Sequence, residues 1–286
     1  MRDAATDPNL RVYNAPEVAA HYAALDYLSP CEQLLFQTFL KGGMAVLDLG
    51  VGGGRTTPYL SSIAGRYVGV DYAAEMVAAC RRKFPRLEFQ QANAADLSGF
   101  SSDSFDAVVM AFNSMDYVIP DQARFRCLRE IHRLLKTQGV LIFSSHNPRA
   151  ILLRPSWNRQ RLQVLAKRFA RERAGLESIL LRLLVVLRAV VAAGQGLARS
   201  IGRTGRRIFT GAFWRGEGYL LDLAHGGLRT HCASPQKLIP EVRKFGFRLL
   251  QVLGDDYPRA SWQYATEWYY YVFAKTEIAE EKETCA

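Results

Sequence analysis

Short apolar segments alternate with longer amphipathic segments over residues 45–144. Five segments have the length and apolar character of buried strands: Ala45–Leu49, 67–71, 87–91, 105–112 and 140–144. Helical periodicity separates them over 56–64, 74–84 and a segment from Pro120 to Gly139 with Phe125, Leu128, Ile131 and Leu135 on one face. Strands that alternate with helices form a parallel sheet covered on both faces, so the pattern predicts an α/β fold.

The alternation resumes after Gly218, with a helix predicted over 235–245 and strands over 248–254 and Trp268–Lys275. We expect a doubly wound, mostly parallel sheet of seven strands with a helical insertion after the fifth strand. The predicted parts are a helical lead-in (1–40), a ligand-binding core (41–148), a basic helical insertion (149–218), a completion of the core (219–275) and an acidic tail (276–286).

A glycine-rich turn follows the first strand in the sequence VLDLGVGGGR at 46–55. Alternate glycines let the backbone turn sharply and approach a ligand closely. Asp48, two residues before the first glycine, would repel a pyrophosphate and suits a ligand that carries an ammonium and a sulfonium group. Asp71 ends the second strand, where a carboxylate can accept hydrogen bonds from ribose hydroxyls. Asp71 fits NAD as well as S-adenosylmethionine (SAM), whereas Asp48 favours SAM.

Five segments in this order resemble the successive motifs of the class I SAM-dependent methyltransferases: VLDLGVGGGR, YVGVDYAAEMV, FQQANAADL, SFDAVVMAF and REIHRLLKTQGVLIF. The resemblance is strong from Val46 to Phe143 and weaker over CASPQKLIPEVRKFGF. It implies a Rossmann-like fold and SAM as the cofactor. Val51 departs from the family, which often has Cys or Ala there, but it is small enough to keep the assignment.

The resemblance also implies a set of cofactor-binding residues. Gly50, Gly52 and Gly54 would line the methionine part of SAM, and Asp48 would support their turn. Asp71 would hold the ribose hydroxyls. The adenine would lie near Tyr72, Met76, Asn93 and Ala94, the last two matching a pair found in the quinone-methylating branch of the family, with Asp96 as an alternative partner of the adenine amino group.

His146 is the candidate catalytic base. It follows the fifth strand, so it is expected at the carboxyl edge of the sheet, and histidine titrates near neutrality. An acceptor of high pKa such as a hydroxyl needs a base, whereas an amine or an enolate needs none. The alternative, a histidine hydrogen-bonded to a loop carbonyl, stays open.

Other residues are weaker candidates for the same cleft. His225 and His231 flank a Gly-Gly turn that could fold back over it, although a structural role is the first expectation for each. Tyr13 and Tyr22 of the lead-in could close over the cofactor or could be core aromatics. We expect His21 and His132 on helix surfaces.

The positive charge is concentrated in one segment. The chain has a net charge of +10, and residues 149–215 hold fifteen Lys or Arg against two acidic residues. Its apolar runs, interrupted by Arg182 and Arg188, are too short to span a bilayer, whose core requires about 20 apolar residues. A cap over the acceptor site is the first interpretation. The second is contact with an anionic membrane surface, and the two can coexist if the acceptor is lipid-linked.

The leading functional hypothesis is methyl transfer to a small-molecule acceptor: a glycosyl, specialised-metabolite or isoprenoid-linked compound. RNA methylation is the alternative, disfavoured because no aromatic stacking pattern accompanies the arginines, and a non-catalytic SAM-binding scaffold is another. Five scattered cysteines and a polar N-terminus predict a cytoplasmic protein without a metal site, with peripheral contact at the inner membrane face left open. The acceptor, the methylated atom and the oligomeric state stay undetermined at this level.

Overall fold

The computed structural model describes residues 7–151, 211–222 and 228–277. Three helices come first, followed by an alternation of strands and helices and then by a hairpin and an antiparallel ending. The helices are α1 (Pro8–Tyr13), α2 (Pro16–Ala23), α3 (Pro30–Phe39), α4 (Thr57–Ile63), α5 (Ala74–Lys83), α6 (Asp121–Leu134), α7 (Ala212–Arg215) and α8 (Pro235–Arg243), with a 3-10 helix at Ser114–Tyr117. The strands are β1 (Ala45–Leu49), β2 (Arg66–Asp71), β3 (Glu88–Gln91), β4 (Phe105–Met110), β5 (Leu135–His146), β6 (Glu217–Asp222), β7 (Leu228–Ala233), β8 (Phe247–Gly254) and β9 (Trp268–Lys275).

Seven strands form one sheet in the order β3-β2-β1-β4-β5-β9-β8. Strands β1 to β5 pair in parallel, and β9 is antiparallel to both β5 and β8. The order reverses at β1 and β4, and such a reversal leaves a crevice at the carboxyl ends of the strands. The predicted doubly wound, mostly parallel seven-stranded sheet is therefore confirmed.

Both faces of the sheet are covered because successive side chains of each strand point to opposite sides. In β1, Val46 packs into a core shared with α3, α4 and α5, whereas Leu47 and Leu49 pack into a second core shared with α6 and α8. Central strands buried on both faces read as continuous apolar runs. This explains why the sequence pattern identified them.

The helix before β5 ends earlier than predicted. It was expected to continue to Gly139, but α6 ends at Leu134, and Leu135 pairs with Phe105 at the start of β5. The intervening residues form an irregular turn with Gln138 at φ 63°, and the register shifts before Val140 pairs with Ala107. Helical spacing of Leu135 misled the prediction because a buried leucine fits the end of a helix and the start of a strand equally well.

A two-stranded sheet of β6 and β7 was not predicted. The interpretation of a basic insertion at 149–218 concerns mainly residues 152–210, which lie outside the described residues, as do His225 and most of the predicted acidic tail. Within the described ranges, no helix combines the length and the apolar character that crossing a bilayer requires.

Candidate active site

A cavity opens at the carboxyl ends of β1, β2, β4 and β5. The glycine turn after β1 and the segments after β2, β3 and β4 line it, and α1 and α2 contribute Tyr13 and Tyr22 from above. His146 and Trp268 close the far end. This is the location that the topology of an open parallel sheet predicts for a ligand.

The glycine turn lies tightly between its neighbours. Gly50 has φ +75°, and a Cβ there would lie 2.8 Å from the Cβ of Ser114. Gly50 and Gly52 line the cavity. Gly54 does not belong to the lining, because it faces the side chains of Phe84 and Cys80 behind the turn. The structure thus brings two of the three predicted glycines to the cavity and gives the third a packing position.

Asp48 lies behind the turn and does not line the cavity. It is 1% exposed, and its Oδ2 accepts hydrogen bonds from Thr56 Oγ1 at 2.7 Å and Tyr67 Oη at 3.0 Å. Burial raises the pKa of Asp48 to about 6, although both hydrogen bonds and the charge of Arg55 oppose the rise. Because its carboxylate does not line the cavity, Asp48 is not placed for the direct contact with a charged ligand that the sequence indicated. Asp48 instead supports the turn.

Asp71 faces the cavity from the end of β2. Its Oδ2 accepts from the backbone N–H of Gly52 at 2.8 Å, and its Oδ1 accepts from that of Ala73 at 2.9 Å. Burial raises the pKa of this carboxyl above its ordinary value, while the backbone hydrogen bonds counteract the rise. Each carboxylate oxygen can accept a further hydrogen bond. Asp71 therefore fixes the glycine turn and still presents acceptors to the cavity.

Four residues predicted near an adenine line the cavity beside Asp71: Tyr72, Met76, Asn93 and Ala94. Met76 is buried, and the Oδ1 of Asn93 accepts from the backbone N–H of Ala95 at 2.9 Å. Asp96 lies outside the lining, where its carboxylate bonds to Ser98 at 2.8 Å. The structure favours Asn93 and Ala94 over Asp96 as residues that can contact a ligand.

A cluster of tyrosines covers the cavity. The Tyr13 ring contacts those of Tyr22, Tyr72 and Tyr117 edge to face, with centroids 6.0, 6.4 and 5.6 Å apart. Burial is the main cause that raises the pKa of Tyr13 above its ordinary range, so its hydroxyl stays neutral. Tyr13 and Tyr22 are consequently both core aromatics and cavity walls, and the two interpretations of the sequence are not exclusive.

His146 is oriented by a buried carboxylate. Its Nδ1 lies 2.8 Å from Oδ2 of Asp116, and its backbone N–H donates to the same oxygen at 2.6 Å. The other oxygen, Oδ1, accepts from Ser145 Oγ at 2.7 Å. Burial alone would raise the pKa of Asp116, but the hydrogen bond with His146 and the charges of His146 and His231 hold it below its ordinary value. An ionised Asp116 fixes a proton on Nδ1, which leaves Nε2 as the acceptor.

Sequence reasoning did not identify this pairing. Asp116 follows β4 in the sequence, and no local pattern assigns it a partner. The available signal was an acid after β4 and a histidine at the end of β5, because adjacent strands bring these positions together. The Nε2 of His146 lies 3.3 Å from Asn113 Nδ2, and the carbonyl Oδ1 of Asn113 is buried without a hydrogen-bond partner among the described residues.

A buried ion pair behind the cavity was also missed. Arg55 forms two hydrogen bonds with Glu32 of α3, one at 2.7 Å, and a third with the backbone oxygen of Tyr27 at 2.8 Å. Its guanidinium carbon lies 5.1 Å from the ring centroid of Phe112, which lines the cavity. Arg55 lies 23 residues from Glu32 and 28 residues from Tyr27 in the sequence. Local sequence patterns therefore could not reveal these hydrogen bonds.

The other described histidines differ in their exposure and in the groups that they contact. His21 is exposed, and His132 is half-buried with Nε2 2.9 Å from the backbone oxygen of Thr276. His231 is buried beside Asp116, with Nδ1 3.8 Å from Oδ1 of that carboxylate.

Comparisons with known proteins agree with this geometry. The family described as "Methyltransferase domain" matches residues 46–139. A relative in Mycobacterium tuberculosis named "Probable S-adenosylmethionine-dependent methyltransferase" is 36% identical over 102 residues, 36% of this chain and 35% of that protein. The demethylmenaquinone methyltransferase of Clavibacter sepedonicus is 34% identical over 103 residues, 35% of this chain and 40% of that protein. This chain thus spans well under half the length of these two relatives.

A solved structure is similar over a larger region. The S-adenosylmethionine-dependent methyltransferase of Mesorhizobium loti aligns with a TM-score of 0.55 and 17% identity, covering 85% of this chain and 97% of that one. At this identity the likeness shows the fold alone. It agrees with the predicted Rossmann-like architecture, and the Mycobacterium tuberculosis relative is named as S-adenosylmethionine-dependent, the cofactor predicted for this chain.

Proposed function

We propose that the protein is a class I SAM-dependent methyltransferase and that it methylates a hydroxyl group of a small-molecule acceptor with His146 as the general base. The match of residues 46–139 to the family described as "Methyltransferase domain" supports the first part of this proposal. The observation that carries the proposal is the pairing of His146 with the buried Asp116 at one end of the cavity. A histidine held by a carboxylate is an arrangement suited to accept a proton at Nε2.

The residues that line the cavity fit SAM by their hydrogen-bonding chemistry. SAM presents hydrogen-bond donors in its ammonium, ribose hydroxyl and adenine amino groups. The cavity presents acceptors in the Asp71 carboxylate and in Asn113 Oδ1, and the hydroxyl of Tyr72 is buried without a hydrogen-bond partner among the described residues. We assign Asp71 to the ribose, Tyr72, Met76, Asn93 and Ala94 to the adenine, and Gly50 and Gly52 to the methionine part.

SAM supplies an activated methyl group on a sulfonium. The protein's task is to hold the acceptor in line with that methyl group and to remove the acceptor's proton. In the proposed reaction, Nε2 of His146 accepts the hydroxyl proton, and Asp116 stabilises the resulting imidazolium through Nδ1. Phe112, Tyr117 and Trp268 surround this end of the cavity with aromatic rings, with Tyr117 and Trp268 6.4 and 6.5 Å from the His146 ring centroid. These rings exclude water and favour an apolar or ring-bearing acceptor.

Substitution of His146 tests the base directly. His146→Ala should lower turnover by about 10²–10⁴, the effect of losing a general base. The affinity for SAM should stay within about twofold, because the cofactor contacts are assigned to other residues. Turnover and calorimetric SAM affinity are measured on the same preparations, with His132→Ala as the control histidine. Activity within a few-fold of wild type would assign His146 a structural role.

The acceptor class is tested by following the methyl group. The protein is incubated with methyl-labelled SAM and a cell extract, and the label is measured in the small-molecule, RNA and protein fractions. The proposal predicts label in the small-molecule fraction, with glycosyl, specialised-metabolite and quinone-precursor compounds as the first purified acceptors to try. Label in RNA would support the alternative, and SAM binding without transfer to any fraction would support a scaffold.

We further propose that the basic insertion forms a cap over the acceptor. The described residues at its two ends lie together, since Phe213 of α7 contacts Tyr264 with ring centroids 6.3 Å apart and the backbone N–H of Ile151 donates to the oxygen of Tyr264 at 3.0 Å. Nearby, Trp214 is 71% exposed and Trp262 is 53% exposed. Exposed tryptophans beside a basic segment are also typical of membrane-surface contact, so anionic lipid is the second candidate partner.

A further inference from the structure

Four aromatic rings form a continuous group on the surface, the aromatic cluster. Phe213 contacts Trp214 with ring centroids 4.9 Å apart and Tyr264 with centroids 6.3 Å apart. Tyr264 in turn contacts Trp262 with centroids 5.7 Å apart. Trp214 is 71% exposed and Trp262 is 53% exposed. Contiguous apolar side chains that stay open to solvent mark sites of interaction with a partner.

The aromatic cluster lies beside the end of the cavity that holds His146. Trp262 and Tyr264 belong to the loop over 255–267, which leads into β9. Trp268, the first residue of β9, lines the cavity and pairs with His146. Asn147, the residue after His146, donates through Nδ2 to two backbone oxygens of the same loop at 2.7 and 2.9 Å. A partner that binds the aromatic cluster is therefore held next to the proposed acceptor end of the cavity.

Exposed arginines border the aromatic cluster. Arg215 directly follows Trp214, and Arg259 lies three residues before Trp262, with both arginines exposed. The acidic residues of the same loop, at positions 255, 256 and 267, are only partly exposed. The two aspartate carboxylates among them accept hydrogen bonds from within the loop. The positive charges therefore reach further into solvent than the negative ones.

The most basic part of the sequence is joined to this surface at both ends. Residues 149–215 hold fifteen basic residues against two acidic ones. On one side, the backbone N–H of Ile151 donates to the backbone oxygen of Tyr264 at 3.0 Å. On the other side, α7 carries Phe213 and Trp214. Exposed apolar rings and a surplus of positive charge thus occur together.

We infer that the aromatic cluster is a docking surface for an anionic lipid bilayer. Tryptophan concentrates at membrane–water interfaces because its ring is apolar and carries one polar N–H. Basic residues add attraction to anionic headgroups. A bilayer surface offers both partners at once, an apolar interior for the rings and negative charge for the arginines.

Docking in this way brings the His146 end of the cavity to the lipid surface. The cluster thereby favours acceptors that are dissolved in the bilayer or attached to a lipid. This second part of the inference rests on the proposed methylation of a small-molecule acceptor, whereas the docking surface itself does not depend on any activity.

Vesicle binding tests the docking surface without an acceptor. The full chain is sedimented at low salt with vesicles of phosphatidylcholine alone and with vesicles that also contain phosphatidylglycerol. Wild type should bind only the anionic vesicles. The double variant Trp214→Ala/Trp262→Ala should bind at least about tenfold more weakly, and Arg259→Gln about fivefold more weakly. Leu250→Ala is the control at an exposed apolar position on β8, and it should bind as wild type does.

Fluorescence measures whether the two rings enter the lipid. Brominated acyl chains quench indole fluorescence on contact, so wild-type fluorescence should fall on binding to brominated anionic vesicles. A smaller fraction should be quenched in the double variant, and this difference separates the two rings from the other tryptophans of the chain, Trp157 and Trp268. Acrylamide, a water-soluble quencher, should reach both rings in the free protein and lose access to them on vesicle binding.

Four results would overturn the docking surface. Unchanged vesicle binding in the double variant would mean that charge alone attracts the protein. Absence of quenching by brominated lipid in wild type would exclude insertion, and this measurement needs no variant to fold. Rings that acrylamide cannot reach in the free protein would mean that the chain itself covers them. Self-association that the double variant abolishes would mean that a second copy covers them. Melting temperature and SAM affinity of each variant identify any loss of structure.

Methyl transfer to membranes tests the lipid-bound acceptor separately. Membranes of the source cells are incubated with methyl-labelled SAM, and the label is measured in the organic-solvent extract and in the aqueous fraction. Wild type should label the extract, and the double variant should label it severalfold less at equal SAM affinity. Label confined to the aqueous fraction would contradict a lipid-bound acceptor. Vesicle binding without methyl transfer to any fraction would contradict the proposed function and leave the docking surface standing.

Discussion

At the scale of single residues, burial makes the negative charge of Asp48 energetically unfavourable. The hydrogen bonds from its neighbours offset only part of this cost. The carboxylate is buried and accepts two hydrogen bonds, yet its pKa is raised to about 6. A carboxyl whose pKa is higher in the folded than in the unfolded state stabilises the protein most when protonated. This contribution is complete below the unfolded value of 3.8 and is lost as the pH rises through about 6.

Asp48→Asn removes this titration and keeps an acceptor for Thr56 and Tyr67. Relative to wild type, the variant should gain about 3 kcal/mol of unfolding free energy between about pH 3.5 and pH 7, the equivalent of a shift of about two pKa units. Denaturant unfolding at several pH values measures the difference, in which contributions from other carboxyls cancel. A difference that is independent of pH would mean that Asp48 titrates normally.

Residues with local signals were predicted, and those that depend on long-range contacts were not. Gly50 and Gly52 follow β1, Asp71 ends β2 and His146 ends β5, so the sequence placed all four at the cavity edge. Asp116 became recognisable as a partner only once β4 and β5 were paired. The contacts Arg55–Glu32 and Asp116–His231 join separate elements, and no periodicity or spacing encodes such side-chain pairing.

At the scale of elements, the end of α2 packs directly against the glycine turn. A Cβ at Gly53 would lie 2.2 Å from the backbone nitrogen of Ala23 and 2.3 Å from the carbonyl carbon of Tyr22. Such distances exclude any side chain. The contact places Tyr22 over the cavity. The position of α2 therefore depends on the glycine turn.

Gly53→Ala should therefore displace α2. We expect a loss of about 1–3 kcal/mol in stability, the usual cost of overpacking, together with at least about a tenfold loss of SAM affinity as Tyr22 moves. Gly42→Ala is the matched control, because a Cβ there meets nothing within 4 Å. SAM affinity and melting temperature are measured for both. Wild-type affinity in Gly53→Ala would show that the α2 contact is not needed for binding.

The elements that the sequence missed share a cause. The hairpin β6–β7 was not identified from its apolar pattern, and α6 ends at Leu134 because the next residue pairs with β4. Apolar spacing alone could not show that residues 217–233 form a hairpin or that Leu135 begins a strand rather than continuing α6. The strands buried on both faces of the sheet were predicted within two residues of their bounds, apart from β5, whose irregular start carries Gln138 with positive φ.

At the scale of the whole molecule, the charge distribution separates the insertion from the rest of the fold. Residues 149–215 carry fifteen basic and two acidic residues within a chain of net charge +10, so the remainder is slightly acidic. Fifteen like charges within one segment of the sequence repel one another unless an anionic partner is near. A phosphorylated or lipid-linked acceptor or an anionic membrane would meet that requirement.

Deletion of residues 160–207 tests the cap. We expect acceptor turnover to fall by at least about 10²-fold, the scale for loss of acceptor positioning, while calorimetry shows SAM affinity within about twofold of wild type. Sedimentation of the intact protein with anionic and with neutral vesicles tests the second candidate partner. Full activity of the deleted protein would exclude the cap, and no binding to anionic vesicles at low salt would exclude the membrane contact.

The central claim is that this cavity binds SAM with its ribose on Asp71, and titration calorimetry of wild type and Asp71→Ala tests it most directly. Wild type should bind one SAM per chain and should prefer it to NADH. Asp71→Ala should weaken binding by about 1.5–3 kcal/mol, as expected for hydrogen bonds to a charged group. Its melting temperature is recorded alongside, since Asp71 also accepts from the backbone of Gly52 and Ala73. Equal SAM affinities in the two proteins, or a preference for NADH, would contradict the account.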